Sequence, residues 1–304
     1  MSTNSTTGTS RRDADFNGAG ELQCRAHYRA LKSGELEDMQ SMMDYIKESG
    51  DPAIAYRWRR AVTDIKNILE TSAELYGDKP LFLQKFENDQ PFQEISYSKV
   101  LTDVNALGTA LIELGLKGKH VGVIGKNCYE WAESYLAVVC GTGVVVPLDK
   151  ELNEDELAHL TASGELSAVI TMDKHYDMFK RIKDRDDNSL KLVINAGMHS
   201  HENEHKGLLS WHKLRERGYE LVEAGDRSFI DAEIVNTELA VILFTSGTTG
   251  TSKGVMLSNR NISSNVMLAQ SFIDIQPGDV FFSVLPIHHT YECTCTFIEA
   301  MYCG

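Results

Sequence analysis

Several ingredients are scarce in this chain, and each scarcity excludes a class of protein. Six cysteines over 304 residues are too few for a disulfide framework. Cys293 and Cys295 stand one residue apart rather than at the spacing of a zinc knuckle, so buried free thiols are expected. No apolar run reaches the roughly 18–20 residues that span a bilayer. The most apolar stretch, residues 135–148, is broken by Gly141, Thr142 and Gly143. The opening residues, MSTNSTTGTSRR, lack the apolar core of a signal peptide. A cytoplasmic location with no transmembrane segment is therefore expected. Positive charge is also short: 30 Lys and Arg against 44 Asp and Glu leave a formal net charge of -14. That balance repels a phosphate backbone, which argues against nucleic acid or an anionic membrane as partner. A nucleotide held in a local cradle stays open.

The chain does have enough apolar residues for a core, at 42% hydrophobic and 24% charged. Residues 1–20 are rich in Ser, Thr, Gly and Asn, a composition that favours disorder. Leu36, Met39, Met43 and Ile46 recur at helical spacing before Gly50-Asp51-Pro52 stops the pattern. Residues 1–55 read as an amino-terminal extension, with the main domain over 56–304.

Within that domain, helix and strand signals alternate. The spacing predicts helices over 62–75, 129–139, 153–162 and 208–217. Another has Val100, Val104, Leu107, Leu111 and Leu114 on one face and closes at Gly115. Strands are expected over 81–86, 92–97, 120–124, 144–148, 168–171, 190–194 and 239–244. Alternation of this kind predicts an α/β fold with mainly parallel sheets and flanking helices. Ligands then collect at loops beyond the carboxyl ends of the strands.

The strongest local signal is the run LFTSGTTGTSKGV at residues 243–255. An apolar strand enters a loop of glycines and hydroxyl residues, and a lysine follows. Glycines let the backbone approach a ligand closely. Backbone N–H groups and hydroxyls can turn toward phosphate oxygens, with Lys253 as a point charge. The chemistry suits a polyphosphate. It is not a Walker A loop, because Ser252 stands where that motif has Gly before its Lys, and no GxGxxG occurs.

This run resembles the phosphate-binding signature of the AMP-forming adenylating enzymes, the superfamily of acyl-CoA synthetases, luciferases and peptide-synthetase adenylation domains. Ser252 replaces the proline usual before the lysine. The stretch at residues 103–149, DVNALGTALIELGLKGKHVGVIGKNCYEWAESYLAVVCGTGVVVPLD, is similar to the amino-terminal part of long-chain fatty acid CoA ligases. Residues 285–292, LPIHHTYE, are similar to their LPxxHxxE segment. The resemblance covers roughly residues 56–304.

It implies an incomplete amino-terminal domain of the acyl-adenylate-forming fold. It also implies ATP-dependent activation of a carboxylic acid, a long-chain fatty acid above all, to acyl-AMP and then acyl-CoA. The implied partners are fatty acid, ATP and CoA, with Mg²⁺. By the same resemblance Thr245, Ser246, Gly247, Thr248, Thr249 and Gly250 hold the β and γ phosphates, and Thr245 contacts Mg²⁺. Lys253 neutralises charge on the departing pyrophosphate. His289, after an expected strand and Pro286, lies near the reacting carboxylate and α-phosphate. Glu292 is a weaker candidate, and His288 is read as packing.

The family pattern continues with YGxTE and TGD motifs and a carboxyl-terminal lid bearing a lysine, none of which occurs in these 304 residues. The chain alone is therefore expected to be an inactive fragment or a phosphate-binding module. A second rival is a zinc metalloprotease, because His201-Glu202-Asn203-Glu204-His205 is a literal HExxH. That motif needs a helix with an apolar back. Here it sits in a charged stretch between Gly197 and Gly207, which reads as a surface loop.

Overall fold

A computed structural model of the chain describes residues 60–85, 90–197, 207–245, 252–270, 273 and 275–304. The expected disorder and helix of residues 1–55, and the HExxH at 201–205, lie outside the described residues. The compact unit treated below is Ala61–Gly304.

It begins with α1 (Ile65–Tyr76), capped by the Asp64 side chain accepting from the Asn67 N–H at 2.8 Å. Gly77, at φ +40°, ends it. A short antiparallel pair follows, β1 (Pro80–Gln84) and β2 (Gln93–Ser96). Then α2 (Tyr97–Glu113) buries Val100, Val104, Leu107 and Leu111, the face that the spacing predicts. Ser96 caps it.

The main sheet is built from β3 (His120–Ile124), β4 (Val144–Leu148), β5 (Leu166–Thr171), β6 (Leu192–Asn195), β7 (Leu208–Ser210), β8 (Leu239–Thr245) and β9 (Lys253–Ser258). Its strand order is β7-β6-β5-β3-β4-β8-β9. All neighbours are parallel except β8 and β9, which form an antiparallel hairpin. The connecting helices are α3 (Tyr129–Ala137), α4 (Glu154–Ser163), α5 (Tyr176–Lys183) and α6 (Trp211–Glu223). After β9 come α7 (Asn259–Ala269) and α8 (Glu299–Cys303).

The helices cover both faces, as buried parallel strands require. On one face α4 and α5 send Leu157, Leu160, Phe179 and Ile182 onto the sheet. On the other, α1, α2, α3 and α6 form a larger core around Trp131, Tyr135, Leu107 and Trp211. The α/β architecture with a mainly parallel sheet is thus as the sequence predicts. Among the described residues no helix is long and apolar enough to cross a membrane. Cys140, Cys293 and Cys303 are buried thiols, and Cys128 and Cys295 are half-buried and also free.

Three local expectations are corrected. Residues 208–217 are not one helix: Leu208–Ser210 pair with β6, and Ser210 then caps α6. Nor does α6 stop before Gly218. It runs on to Glu223, because Gly218 is a contact point: a Cβ there would lie 1.9 Å from the Ala106 carbonyl oxygen of α2. Helix α3 ends at Ala137 and passes into a wide buried turn, Val138–Thr142. The strand expected before Pro286 is also missing, since residues 279–284 pair with no strand among the described residues.

The junction of α2, α3 and α6 holds buried charge. Asp103 and Glu133 are 1% and 0% exposed. Tyr129 donates to Asp103 at 2.7 Å, and Tyr219 and Lys99 also bond its carboxylate. Arg215 reaches Glu133 at 3.1 Å and Asp103 at 3.7 Å. The second Glu133 oxygen has no hydrogen-bond partner among the described residues. Burial pushes the Glu133 carboxyl up to about 8, against the pull of Arg215.

The folded form therefore holds a proton that the unfolded form has released. Its stabilising contribution is complete below the ordinary glutamate value and is lost as pH rises toward 8. Glu133→Gln cannot ionise. It is expected to flatten this decline and to be more stable than the parent at pH 9, read by urea unfolding across a pH series. A parallel decline in both proteins would contradict the assignment.

Candidate active site

Strand β8 ends at Thr245 and pairs antiparallel with β9, which begins at Lys253, so the glycine-rich run lies in sequence between these two strands. The register pairs Thr245 with Lys253, Phe244 with Gly254 and Leu243 with Val255. Both Thr245 and Lys253 are exposed. Directly opposed residues of antiparallel strands have side-chain bases roughly 5 Å apart, so a hydroxyl and an ammonium flank the mouth of the loop. Ser246, Gly247, Thr248, Thr249 and Gly250 lie outside the described residues. The return strand also separates this loop from a Walker A loop, which opens a helix.

Neighbouring strand β4 pairs with β8 through Val145 and Val241. Counted four residues along, that register sets Asp149 level with Thr245, both beyond the apolar strand interior. This is the edge where α/β sheets gather ligands.

The histidine segment is fastened to the same edge. Asn127, in the loop after β3, donates through Nδ2 to Ser283 Oγ at 2.8 Å and to the Leu285 carbonyl at 2.7 Å. Its Oδ1 accepts from the Ile287 N–H at 3.0 Å. A turn closed by the His289 N–H on the Pro286 carbonyl, at 3.0 Å, then presents two adjacent histidines. His289 is exposed and His288 is buried. Their rings lie 4.5 Å apart at 35°. His288 Nε2 is 3.4 Å from Asp149 Oδ1. Burial lowers the pKa of His288 more than Asp149 raises it, so this ring is neutral at neutral pH.

Glu292 takes a structural place. It is 3% exposed, accepts from Ser283 at 2.6 Å and Thr296 at 3.1 Å, and ties the loop to the following wide helical turn. Phe297 and Ile298 are core, whereas Val284 and Tyr291 are 68% and 67% exposed.

Sequence reasoning missed Asn127 and Asp149. Only their position just beyond strands β3 and β4 could have flagged them, because their partners lie over a hundred residues away. Asn127→Ala removes three hydrogen bonds, each worth about 0.5–1.5 kcal/mol net. It is expected to speed amide exchange at Ile287 and proteolysis within 280–291 while barely moving global unfolding. Unchanged exchange at Ile287 would contradict this fastening role.

A cleft of about 860 Å³ runs beside the segment, lined by Phe82, Tyr97, Asn127, Ser283, Ile287 and Phe297 among others, but by none of Thr245, Lys253 and His289. Size alone does not make it the reactive centre. The residues that the sequence marks out as phosphate candidates, Thr245 and Lys253, stand instead at the β8–β9 pair. Among the described residues no three His, Cys, Asp or Glu side chains converge as a metal site. A Mg²⁺ that keeps its waters and phosphate oxygens requires fewer protein ligands, and the exposed Thr245 hydroxyl suits such an ion.

Comparison with known proteins agrees with this geometry. The family model described as AMP-binding enzyme matches residues 69–304. Fatty acyl-CoA synthetase B of Dictyostelium discoideum is 29% identical over 241 residues, covering 74% of this chain and 34% of that protein. Long-chain-fatty-acid–CoA ligase 5 of Rattus norvegicus is 31% identical over 220 residues, covering 67% of this chain and 31% of that protein. Among solved structures, a long-chain-fatty-acid-CoA ligase from Archaeoglobus fulgidus superposes with a TM-score of 0.66 at 19% identity, over 80% of this chain and 46% of that one. The chain spans about a third of the length of the curated relatives it matches. A family match over most of the chain, on the α/β fold, assigns it: this chain belongs to the AMP-binding enzyme family.

Proposed function

We propose that this chain is the amino-terminal portion of an enzyme that activates a carboxylic acid with ATP, forming acyl-AMP and then acyl-CoA. The observation that carries the reading is the Thr245–Lys253 register at the mouth of the glycine-rich loop. A carboxylate offers only an oxide as leaving group, so it must be activated before a thiol can displace it. Its oxygen attacks the α-phosphorus of ATP. The bond from that phosphorus to the bridging oxygen breaks, and pyrophosphate leaves. The thiol of CoA then displaces AMP from the acyl carbon.

Ser246, Gly247, Thr248, Thr249 and Gly250 hold the β and γ phosphates through backbone N–H groups and hydroxyls. Lys253 meets the negative charge that grows on the departing pyrophosphate. Mg²⁺ bound with ATP would supply charge neutralisation at the phosphates, and the exposed Thr245 hydroxyl would help to hold it. His289, on its exposed turn, orients the incoming carboxylate against the α-phosphate. Catalysis by such a site is positioning and electrostatic stabilisation rather than covalent chemistry. Similarity to fatty acyl-CoA synthetases supports a long-chain fatty acid as the substrate.

The test uses the protein that carries this chain at the family's full length, supplied with ATP, Mg²⁺, CoA and palmitate. Formation of AMP and palmitoyl-CoA in equal amounts is expected, and the 304-residue chain alone should form neither. A full-length protein that releases phosphate rather than pyrophosphate, or ignores every carboxylic acid offered, would overturn the proposal.

A further inference from the structure

The doubled histidine is not accounted for by the chemistry above. A buried aromatic filler would serve packing better than His288, which is 8% exposed and brings two polar nitrogens inside. Neither nitrogen makes a hydrogen bond among the described residues. Buried polar atoms normally find partners, and those that do not often belong to working sites. Two contacts define what this ring does. One edge faces the Asp149 carboxylate, with Nε2 at 3.4 Å from Oδ1. One face lies against the His289 ring at 4.5 Å.

We propose that His288 is a positioning residue, through which Asp149 at the carboxyl end of β4 fixes the orientation of the His289 ring. A neutral imidazole carries its proton on one nitrogen only, and a carboxylate beside Nε2 selects the tautomer with the proton there. Across that 3.4 Å contact, which is not a hydrogen bond here, the attraction biases the ring about its own axis. It also leaves the Nδ1 lone pair as an acceptor. Because Asp149 is anchored by the β4 backbone, the His288 plane is referenced to the sheet rather than to the loop. His289 lies against that ring, tilted by 35° at 4.5 Å, so an exposed residue on a turn gains a defined direction. A structural filler would supply the stacking surface but not the carboxylate link. Lys150 and Glu151 beside Asp149 are the other charges facing His288, and they oppose each other in sign.

The assignment deepens the proposed function at His289, yet its test does not depend on that function. Histidine-labelled chain is examined by ¹⁵N and ¹³C ring spectra at pH 7.5. The parent is expected to show His288 in the single tautomer protonated at Nε2. Asp149→Asn should convert it to a mixture and shift the His289 ring signals. His288→Phe should keep the fold but broaden or shift the His289 signals, because the stacking face stays while its tether is lost. A tautomer unchanged in Asp149→Asn would overturn the proposal, as would His289 signals unmoved by both substitutions. ATP titration of the same samples reports separately on the hairpin. Loss of nucleotide binding with the tautomer result intact would count against the enzyme reading alone.

Discussion

Lys253→Ala is expected to slow carboxylate-dependent ATP–pyrophosphate exchange by about 10²–10³-fold, roughly 3–4 kcal/mol, in the full-length protein. That range is typical for deleting one preorganised group that stabilises charge at the transition state. The geometry supports applying it here. Lys253 is the first residue of β9 and is held by ladder pairing to Thr245, so its backbone is positioned before substrate arrives. Its side chain is exposed and makes no ion pair among the described residues, so the substitution should leave unfolding unchanged. Lys253→Arg keeps the charge but changes its shape and hydration, and should recover only part of the rate. An alanine variant with parental exchange would remove Lys253 from the mechanism. A variant that is slow only because it is unfolded is recognised by its melting curve.

The second large effect concerns stability. Arg215→Met keeps the apolar stem of the side chain and deletes the cation shared by Glu133 and Asp103. Breaking a buried pair from one side typically costs about 3–5 kcal/mol, because the partner charge is stranded. Protonation limits the damage here. Glu133 already holds its proton toward pH 8, and Asp103 keeps Lys99, Tyr129 and Tyr219. The lower end, about 3 kcal/mol, is therefore expected at pH 7, and a larger loss above pH 8. Part of the cost is the stacking of Arg215 over Trp211, at 4.6 Å. For a domain of this size about 3 kcal/mol lowers the melting temperature by roughly 6–12 °C. The double variant Arg215→Met with Glu133→Gln should recover part of the loss. If Arg215→Met melts with the parent at pH 7 and 9, the network does not stabilise the fold.

The contrast between these sites shows what a sequence makes legible. Helix α2 was readable because Val100, Val104, Leu107 and Leu111 repeat at the helical period, a local property. The glycine-rich run stood out as a candidate phosphate loop because its residue types and order suit that chemistry. The charge network was not. Asp103, Glu133 and Arg215 look like surface residues of three separate helices until those helices are packed. The helix expected over 208–217 was cut short before Gly218, whose missing side chain is explained only by the Ala106 backbone on α2. Residues 279–284 carry a strand-like pattern, yet a strand exists only with a partner, and among the described residues none pairs with them. His289 was singled out as a candidate through its motif. Asp149 and Asn127, which hold the histidine segment in place, were missed because each acts on residues far along the chain.

The most direct test of the central claim is a titration of the 304-residue chain with Mg·ATP, followed by backbone amide ¹H–¹⁵N spectra. The expected result is a set of shifts concentrated at residues 245–254, which Lys253→Ala weakens and inorganic triphosphate reproduces. Shifts that cluster elsewhere, or an unperturbed spectrum at millimolar nucleotide, would contradict the assignment of the β8–β9 hairpin as the phosphate site.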